Sequence, residues 1–207
     1  MKFLQSAKAF VQAAGLVFGL RGGTEEPAYR PIAALGEVQI RRYAPRLAAS
    51  VSVEGDEIAA RSAGFRRLAG YIFGANTTSA SLSMTAPVAQ APVTIAMTAP
   101  IAQAQAADGV WFISFYMPSG YTLVTLPRPL DPQVHLHEVA ETTEAVYRFS
   151  GRPRAAAVAR ARAILARQLA GSAWVAAGEP VAQFYNPPWT LPWLRRNEVS
   201  VVVTPKP

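Results

Sequence analysis

The fold is decided by residues 38–74, which read VQIRRYAPRLAASVSVEGDEIAARSAGFRRLAGYIFG. Apolar and polar side chains alternate in Val38–Tyr43 and again in Leu47–Val53, a period of two that indicates strands. Pro45 turns the chain between them, and we expect the two strands to form a hairpin. The pattern then changes to the helical period, with Asp56 as the N-cap. The stretch therefore predicts a strand–strand–helix unit.

The second half of the chain repeats this order in outline. Its predicted elements are strands at Val134–Val139 and Glu144–Ser150, a helix from Gly151 to about Ala170, and strands at Val181–Tyr185 and Glu198–Val203. Strands and helices that segregate in this way are typical of the α+β class. We therefore expect a distorted β-barrel of two pseudo-symmetric ββαββ-type halves with two flanking α-helices.

The N-terminal segment, residues 1–26, differs from the rest. Lys2 and Lys8 fall on one side of a helical wheel whose other side is apolar. One interpretation is an amphipathic helix that docks on the protein or makes peripheral membrane contact through residues 3–20; the other is a signal or anchor segment. The protein would be cytoplasmic or membrane-associated in the first case, and periplasmic if the segment acts as a signal. The folded domain is expected at residues 27–207.

Composition narrows the function classes. The chain has 207 residues, a net charge of +7 and no cysteine, which excludes disulfides and thiolate metal sites. Its arginines are scattered and it carries no nucleic-acid-binding motif, so a nucleic-acid partner is not expected. Phosphate-binding glycine loops, dinucleotide fingerprints and hydrolase motifs are absent, and acidic residues are too few and scattered for a paired-carboxylate hydrolase. The sequence therefore favours a protein that is not an enzyme.

The two histidines are the first candidates for a metal site. His135 and His137 fall on one face of a predicted strand, about 7 Å apart by strand rise. With Glu138 or Asp131 as a further ligand this pair would hold a metal. The alternative is that both histidines face solvent from a half-buried strand.

Residues 82–103 contain a near repeat. Ser83–Gln90 and Ala96–Gln103 each contain Met-Thr-Ala-Pro, followed by a branched residue, alanine and glutamine. No base stands beside the serine, so a catalytic role is not expected. Met84 and Met97 are expected to pack in the core.

Two further features break the local patterns. Arg61 falls within the apolar stripe of the first predicted helix, where it would either extend to solvent and pair with Glu57 or meet the carboxylate of a ligand. The loop at 187–194 carries Trp189 and Trp193 and is too apolar for a free loop. It would either cap the core or offer aromatic surface to a flat ligand.

Several motifs occur in the order found in one known family. They are Val38–Tyr43, Gly64–Leu68, Tyr71–Asn76, Met84–Val88, Phe115–Pro118, Phe149–Gly151, Tyr185–Pro188 and Arg195–Val199. Over about residues 27–203 the chain resembles the SOUL haem-binding family, and its repeated Met-Thr-Ala-Pro resembles the doubled form of bacterial members. The resemblance implies binding of haem or another tetrapyrrole in a shallow apolar groove between the first helix and the tryptophan loop, for haem buffering, transfer or sensing.

The resemblance also implies residue roles. The implied ligand-binding residues are Arg61, Phe65, Arg67, Leu68, Trp189, Trp193 and Leu194. Arg42 stands where some members carry histidine, and arginine does not ligate iron. The axial-ligand candidates that remain are His135, His137, Met84, Met97 or a tyrosine, and a metal-free porphyrin is an equal alternative.

A second function class fits the same element order. Two ββα halves also resemble the gyrase-inhibitor-like domains, which bind small effector molecules. That alternative predicts an acidic residue deep in a cleft.

Overall fold

A computed structural model describes residues 25–78, 82, 87–92, 109–186 and 189–206 of the chain. The described strands are β1 (Tyr29–Leu35), β2 (Val38–Tyr43), β3 (Arg46–Glu54), β4 (Val88–Pro92), β5 (Val110–Tyr116), β6 (His135–Val139), β7 (Thr142–Phe149), β8 (Trp174–Ala176), β9 (Val181–Phe184) and β10 (Asn197–Pro205). The described helices are α1 (Glu57–Ile72), α2 (Ala155–Ala170) and a 3₁₀ turn at Pro192–Leu194.

All ten described strands join one antiparallel sheet. Their order is β1–β2–β7–β10–β9–β4–β5–β3–β6, and β8 pairs with the last residues of β10. The α+β class and the two flanking helices are confirmed. The barrel is not closed, because β1 and β6 end the path of described strands without pairing to each other. Pro31 lacks an amide hydrogen and Ile32 lies at a bulge, and both features interrupt the outer edge of β1.

The predicted hairpin of Val38–Tyr43 with Leu47–Val53 is wrong. β2 pairs with β1 and β7, whereas β3 pairs with β5 and β6. The true hairpin is β1–β2, whose two-residue loop contains Gly36 at a φ of 57°. The segment after Tyr43 instead carries the chain from one half of the sheet to the other.

Each helix covers one half of the sheet on the same face. α1 packs on β3 and β5, and α2 packs on β7, β8 and β10. The core under α1 contains Ala49, Val51, Leu68, Tyr71, Ile72, Ile113, Phe115 and Met117, among others. The core under α2 contains Val38, Ile40, Ala145, Val158, Leu165, Val199 and Val201, among others. Each of the two pseudo-symmetric halves is therefore built around one of these cores.

Helix α1 begins and packs as its sequence dictates. The side chain of Asp56 accepts hydrogen bonds from the backbone amides of Ile58 and Ala59, which confirms the predicted N-cap. Gly64 faces β5 so closely that a Cβ at this position would lie 2.3 Å from Cγ1 of Ile113. The absence of a side chain at Gly64 therefore sets how near α1 approaches the sheet.

Some predictions fall outside the described residues. These are the N-terminal segment to residue 24 and most of the repeated motif, including Met84 and Met97. Leu82, at the start of the repeat, is buried in the core under α1. Among the helices that the structure describes, none combines the length and apolar character needed to span a bilayer.

Candidate functional site

The loop between β9 and β10 presents two tryptophans to solvent. The exposed fraction of Trp189 is 60% and that of Trp193 is 68%, and Leu194 is also exposed. Pro192 opens the 3₁₀ turn, in which Leu194 N–H donates to Leu191 O at 3.0 Å. These large side chains are therefore held outward by local backbone geometry rather than packed into the core.

The loop is anchored from beneath by polar groups. Thr190 is buried, and its carbonyl accepts a 2.8 Å hydrogen bond from Nε of Arg195. At the base of the loop, the amide of Arg196 donates to Oδ1 of Asn186 at 2.8 Å, and the amide of Tyr185 donates to the carbonyl of Arg196 at 3.2 Å. The two ends of the loop are thus bound to each other, which limits the freedom of the tryptophans above them.

A second segment holds the loop from the side. Gly151 N–H donates to Pro192 O at 2.9 Å, and the side-chain amide of Asn197 donates to Gly151 O at 3.0 Å. This segment continues through Arg152 and Pro153 into α2. Burial and the positive charge of Arg152 both lower the pKa of Arg195, so two arginines lie within electrostatic range beside the loop.

Arg61 joins α1 to this arrangement. Its guanidinium lies over the ring of Phe184, 4.5 Å from the centroid, and donates to Pro153 O at 3.4 Å. Burial lowers the pKa of Arg61, although the charge of Glu57 acts in the opposite direction. One turn further along α1, Phe65 is partly exposed and its ring packs edge-on against Phe115 with centroids 5.3 Å apart.

We call the area formed by these groups the tryptophan surface. It comprises Arg61, Phe65, Arg152, Trp189, Trp193, Leu194 and Arg195. Its aromatic part is exposed and its arginines come from three separate segments. Chemically it suits a flat apolar molecule that carries acid groups.

Two of the expected ligand-binding residues lie elsewhere. Arg67 forms a 3.7 Å ion pair with Asp131, in the segment before β6. Leu68 has no exposed surface, because it packs fully into the core under α1. Hydrogen bonds therefore link Arg61 through Pro153 and Gly151 to the tryptophan loop, and Phe65 follows Arg61 one turn later on α1, whereas Arg67 and Leu68 contact other parts of the molecule.

The histidines also lie apart from the tryptophan surface. His135 pairs with Ser50 and His137 with Ala48, whereas the neighbouring β3 residue Ala49 packs in the core under α1. Because side chains alternate along a strand, both histidines lie on the sheet face opposite the helices, which we call the inner face. Burial lowers the pKa of His137. A hydrogen bond that the ring donates to the backbone of His135 acts in the opposite direction, and the charge of His135 acts in the same direction as burial.

No group of three or more metal-binding side chains occurs among the described residues. Of the two alternatives for the histidines, the metal site completed by Glu138 or Asp131 is therefore not formed in this part of the chain. The described histidines cannot reach a ligand on the tryptophan surface without passing through the sheet.

The inner face holds an ion-pair network that the sequence analysis did not identify. Glu198 has no exposed surface, and its carboxylate accepts hydrogen bonds from Arg41 at 2.9 Å, Arg196 at 2.8 Å and Tyr185 Oη at 2.7 Å. Arg196 also pairs with Glu26 at 2.9 Å. The network connects β2 and β10 to the base of the tryptophan loop.

The signal for this network was present in the sequence. In β2 and β10, Arg41 and Glu198 occupy polar positions flanked by buried apolar residues, Ile40 and Val199. What the sequence did not supply was the pairing of these strands with β7 between them. The network makes Glu198 unsuitable as an open acidic group for a ligand.

Sequence comparison extends over nearly the whole domain. Residues 24–202 match the profile of a family described as SOUL heme-binding protein. Over 117 residues the chain is 34% identical to human (Homo sapiens) heme-binding protein 2. This aligned region covers 56% of this chain and 53% of that protein. The chain thus matches about half the length of this curated relative.

Structural comparison gives similar folds at low identity. The C-terminal domain of EcmrR superposes with a TM-score of 0.60 at 8% identity, covering 86% of this chain and 98% of that domain. A hydrolase from Listeria innocua superposes with a TM-score of 0.51 at 10% identity, covering 98% of both chains. These two likenesses concern the fold alone. The family match over residues 24–202 shows that the chain belongs to the SOUL haem-binding protein family.

Proposed function

We propose that the protein binds haem or another tetrapyrrole on the tryptophan surface, and that it does so to buffer, transfer or sense the ligand rather than to transform it. The observation that carries this proposal is the pair of exposed tryptophans on an anchored loop, beside arginines from three segments. The family description and the name of the human relative support the ligand class.

The chemistry of the surface matches that of a porphyrin. Covering about half of Trp189 and Trp193 would remove on the order of 200 Å² of apolar area from water, which contributes about 5 kcal/mol. Each arginine–carboxylate hydrogen bond adds about 1.5–3 kcal/mol. After the cost of immobilising the ligand, this supports affinity in the micromolar range, which suits a protein that passes its ligand on.

The residues present fit the macrocycle better than they fit the iron. Arg42 on β2 does not ligate iron, and His135 and His137 lie on the inner face. Haem iron would supply redox and ligand-binding chemistry when bound, but no described histidine reaches it at the tryptophan surface. We therefore expect recognition to depend on ring contact and acid groups, and metal-free protoporphyrin IX to bind about as well as haemin.

The test is a titration of the full chain with haemin and, separately, with protoporphyrin IX. We expect saturable quenching of tryptophan fluorescence near one equivalent with either ligand, and a shift of the Soret band. A linear, non-saturating response with both ligands would remove the proposal.

Two substitutions locate the site. Trp193→Ala and Arg152→Glu are each expected to weaken binding about tenfold, because one removes aromatic area and the other reverses a charge near the acid groups. Arg30→Glu is the matched control, since Arg30 is exposed on β1 and lies outside the tryptophan surface. If Arg30→Glu weakens binding as much as Arg152→Glu does, the loss of affinity reflects the net charge of the protein, and the assignment of the ligand to the tryptophan surface is wrong.

The second function class, a small-molecule effector-binding module of the gyrase-inhibitor-like type, predicts an acidic residue deep in a cleft. Glu198 is the acid most deeply placed among those of the inner face, and it is bound by Arg41 and Arg196. Because Glu198 already pairs with Arg41 and Arg196, it does not offer a free carboxylate to an effector molecule, which favours the tetrapyrrole proposal.

A further inference from the structure

A cavity of about 450 Å³ lies where the ends of several strands meet the segment before β1. Its wall is formed by the β2–β3 connection, the start of β3, the end of β5 with the loop that follows, and the end of β6. The volume falls in the range of small-molecule sites, about 300–1,000 Å³. The cavity shares no lining residue with the tryptophan surface.

The cavity wall is mostly apolar, with two aromatic rings. The apolar lining comes from Pro27, Pro45, Leu47, Met117, Pro118 and Val139, among others, and the rings are those of Tyr116 and Tyr121. The wall could therefore hold the hydrocarbon body of a ligand. Aromatic faces also attract cations.

The charges around the cavity are mainly negative. Of the described residues, Glu25, Glu26 and Glu138 line it, and Arg46 is the single basic one among them. Arg46 is neutralised from outside the cavity by Glu144 at 2.8 Å, and Glu26 likewise by Arg196 at 2.9 Å. The carboxylates of Glu25 and Glu138 form no ion pair with the described residues, so they leave the cavity negative.

This local charge is opposite to that of the whole protein. The chain carries a net charge of +7, yet the cavity keeps two carboxylates without a described cation. Glu25 is held in place because Oε1 accepts a 2.9 Å hydrogen bond from the amide of Ser119, a neutral donor. The carboxylate is thus positioned while its charge remains available.

We propose that this cavity is a second ligand site, selective for a small organic cation with an apolar body, such as an aryl-alkyl amine. The amine meets Glu25 and Glu138, and the hydrocarbon part packs between Tyr116, Met117 and Val139. This inference does not rest on tetrapyrrole binding, since neither its residues nor its ligand are shared with the tryptophan surface.

The test is calorimetric titration of the full chain at neutral pH with 4-tert-butylbenzylammonium and with the neutral 4-tert-butylbenzyl alcohol, which has the same shape. We expect saturable one-site binding of the amine and at least about tenfold weaker binding of the alcohol, because only the amine carries the charge. Equal binding of the two probes, or no saturable binding of the amine, would overturn the proposal.

Variants test the residues. Glu138→Gln and Glu25→Gln are each expected to weaken amine binding about fivefold, the order of effect for a partly exposed carboxylate. Glu179→Gln is the matched control, since it removes the same charge from an exposed position outside the cavity. A loss with the control equal to that with Glu138→Gln would refute the assigned location.

A competition experiment tests whether the cavity and the tryptophan surface bind their ligands independently. We expect amine affinity to be unchanged when the protein is first saturated with haemin. Competition between the two ligands would overturn the assignment of a separate site, whereas amine binding to a chain that fails to bind haemin would uphold the cavity and remove only the tetrapyrrole proposal.

Discussion

Replacing Glu198 with glutamine is expected to lower the free energy of unfolding by about 3–5 kcal/mol, because it leaves the buried guanidinium of Arg41 without a carboxylate and leaves Arg196 with only that of Glu26. Arg41 and Arg196 both contact this carboxylate within 3 Å, and Glu198 has no exposed surface. Urea unfolding followed by circular dichroism measures the change. Because the network reaches the base of the tryptophan loop, the variant is also expected to bind haemin less tightly.

A matched control separates this effect from loss of charge alone. Glu141 forms an exposed 3.9 Å pair with Arg42, and Glu141→Gln is expected to change stability by less than about 0.5 kcal/mol. Equal effects of the two substitutions would show that the buried network contributes no more than a surface pair does.

The same carboxylate makes stability depend on pH. Burial would raise the pKa of Glu198, but Arg41 and Arg196 together hold it below its usual value. The lowered pKa stabilises the folded state above the unfolded value of about 4.3, and this contribution is lost as the pH falls through the lower folded value. We expect stability to drop below about pH 4 in the wild type and the drop to be smaller in Glu198→Gln.

Replacing Gly64 with alanine is expected to destabilise the protein by about 1–3 kcal/mol, although alanine is the better helix former. The new Cβ would lie 2.3 Å from Cγ1 and 2.7 Å from Cβ of Ile113, which is fully buried. Either α1 or β5 must move, and both belong to the core under α1. Thermal or urea unfolding measures the loss.

The same helix supplies the control. Gly70 also lies in α1, but a Cβ there would meet nothing within 4 Å, so Gly70→Ala is expected to stabilise by about 0.5–1 kcal/mol. In addition, the Gly64→Ala, Ile113→Ala double variant is expected to be less destabilised than the sum of its single variants. Stabilisation by Gly64→Ala equal to that of Gly70→Ala would contradict the close packing of α1 on β5.

The sequence was sufficient for the elements with strong local signals. Asp56 and the helical stripe predicted α1, and alternation predicted β2 and β3 to within a residue. The same reasoning missed β1, whose side chains are exposed on both faces and show no alternating burial. It also paired β2 with β3, because proximity in sequence favours a hairpin, whereas strand pairing is decided by contacts between distant segments.

The candidate site shows the same division. Helical periodicity placed Arg61 and Leu68 at nearly the same angle around α1, but it could not show that Leu68 would be covered by the sheet while Arg61 reaches Pro153. Arg152 was not identified as a candidate ligand-binding residue. It lies near Arg195 in the fold, but the two residues are distant in sequence. Residue types and periods thus identified the loop and the helix, and the tertiary contacts determined which side chains stand together.

Hydrogen–deuterium exchange of the full chain with and without haemin locates the ligand without a substitution. We expect slower exchange on haemin binding in the first turns of α1, in residues 151–154 and in residues 189–195, with little change around the cavity at residues 116–122 and 138–140. Protection confined to the inner face or to that cavity, with residues 189–195 unchanged, would contradict the proposal.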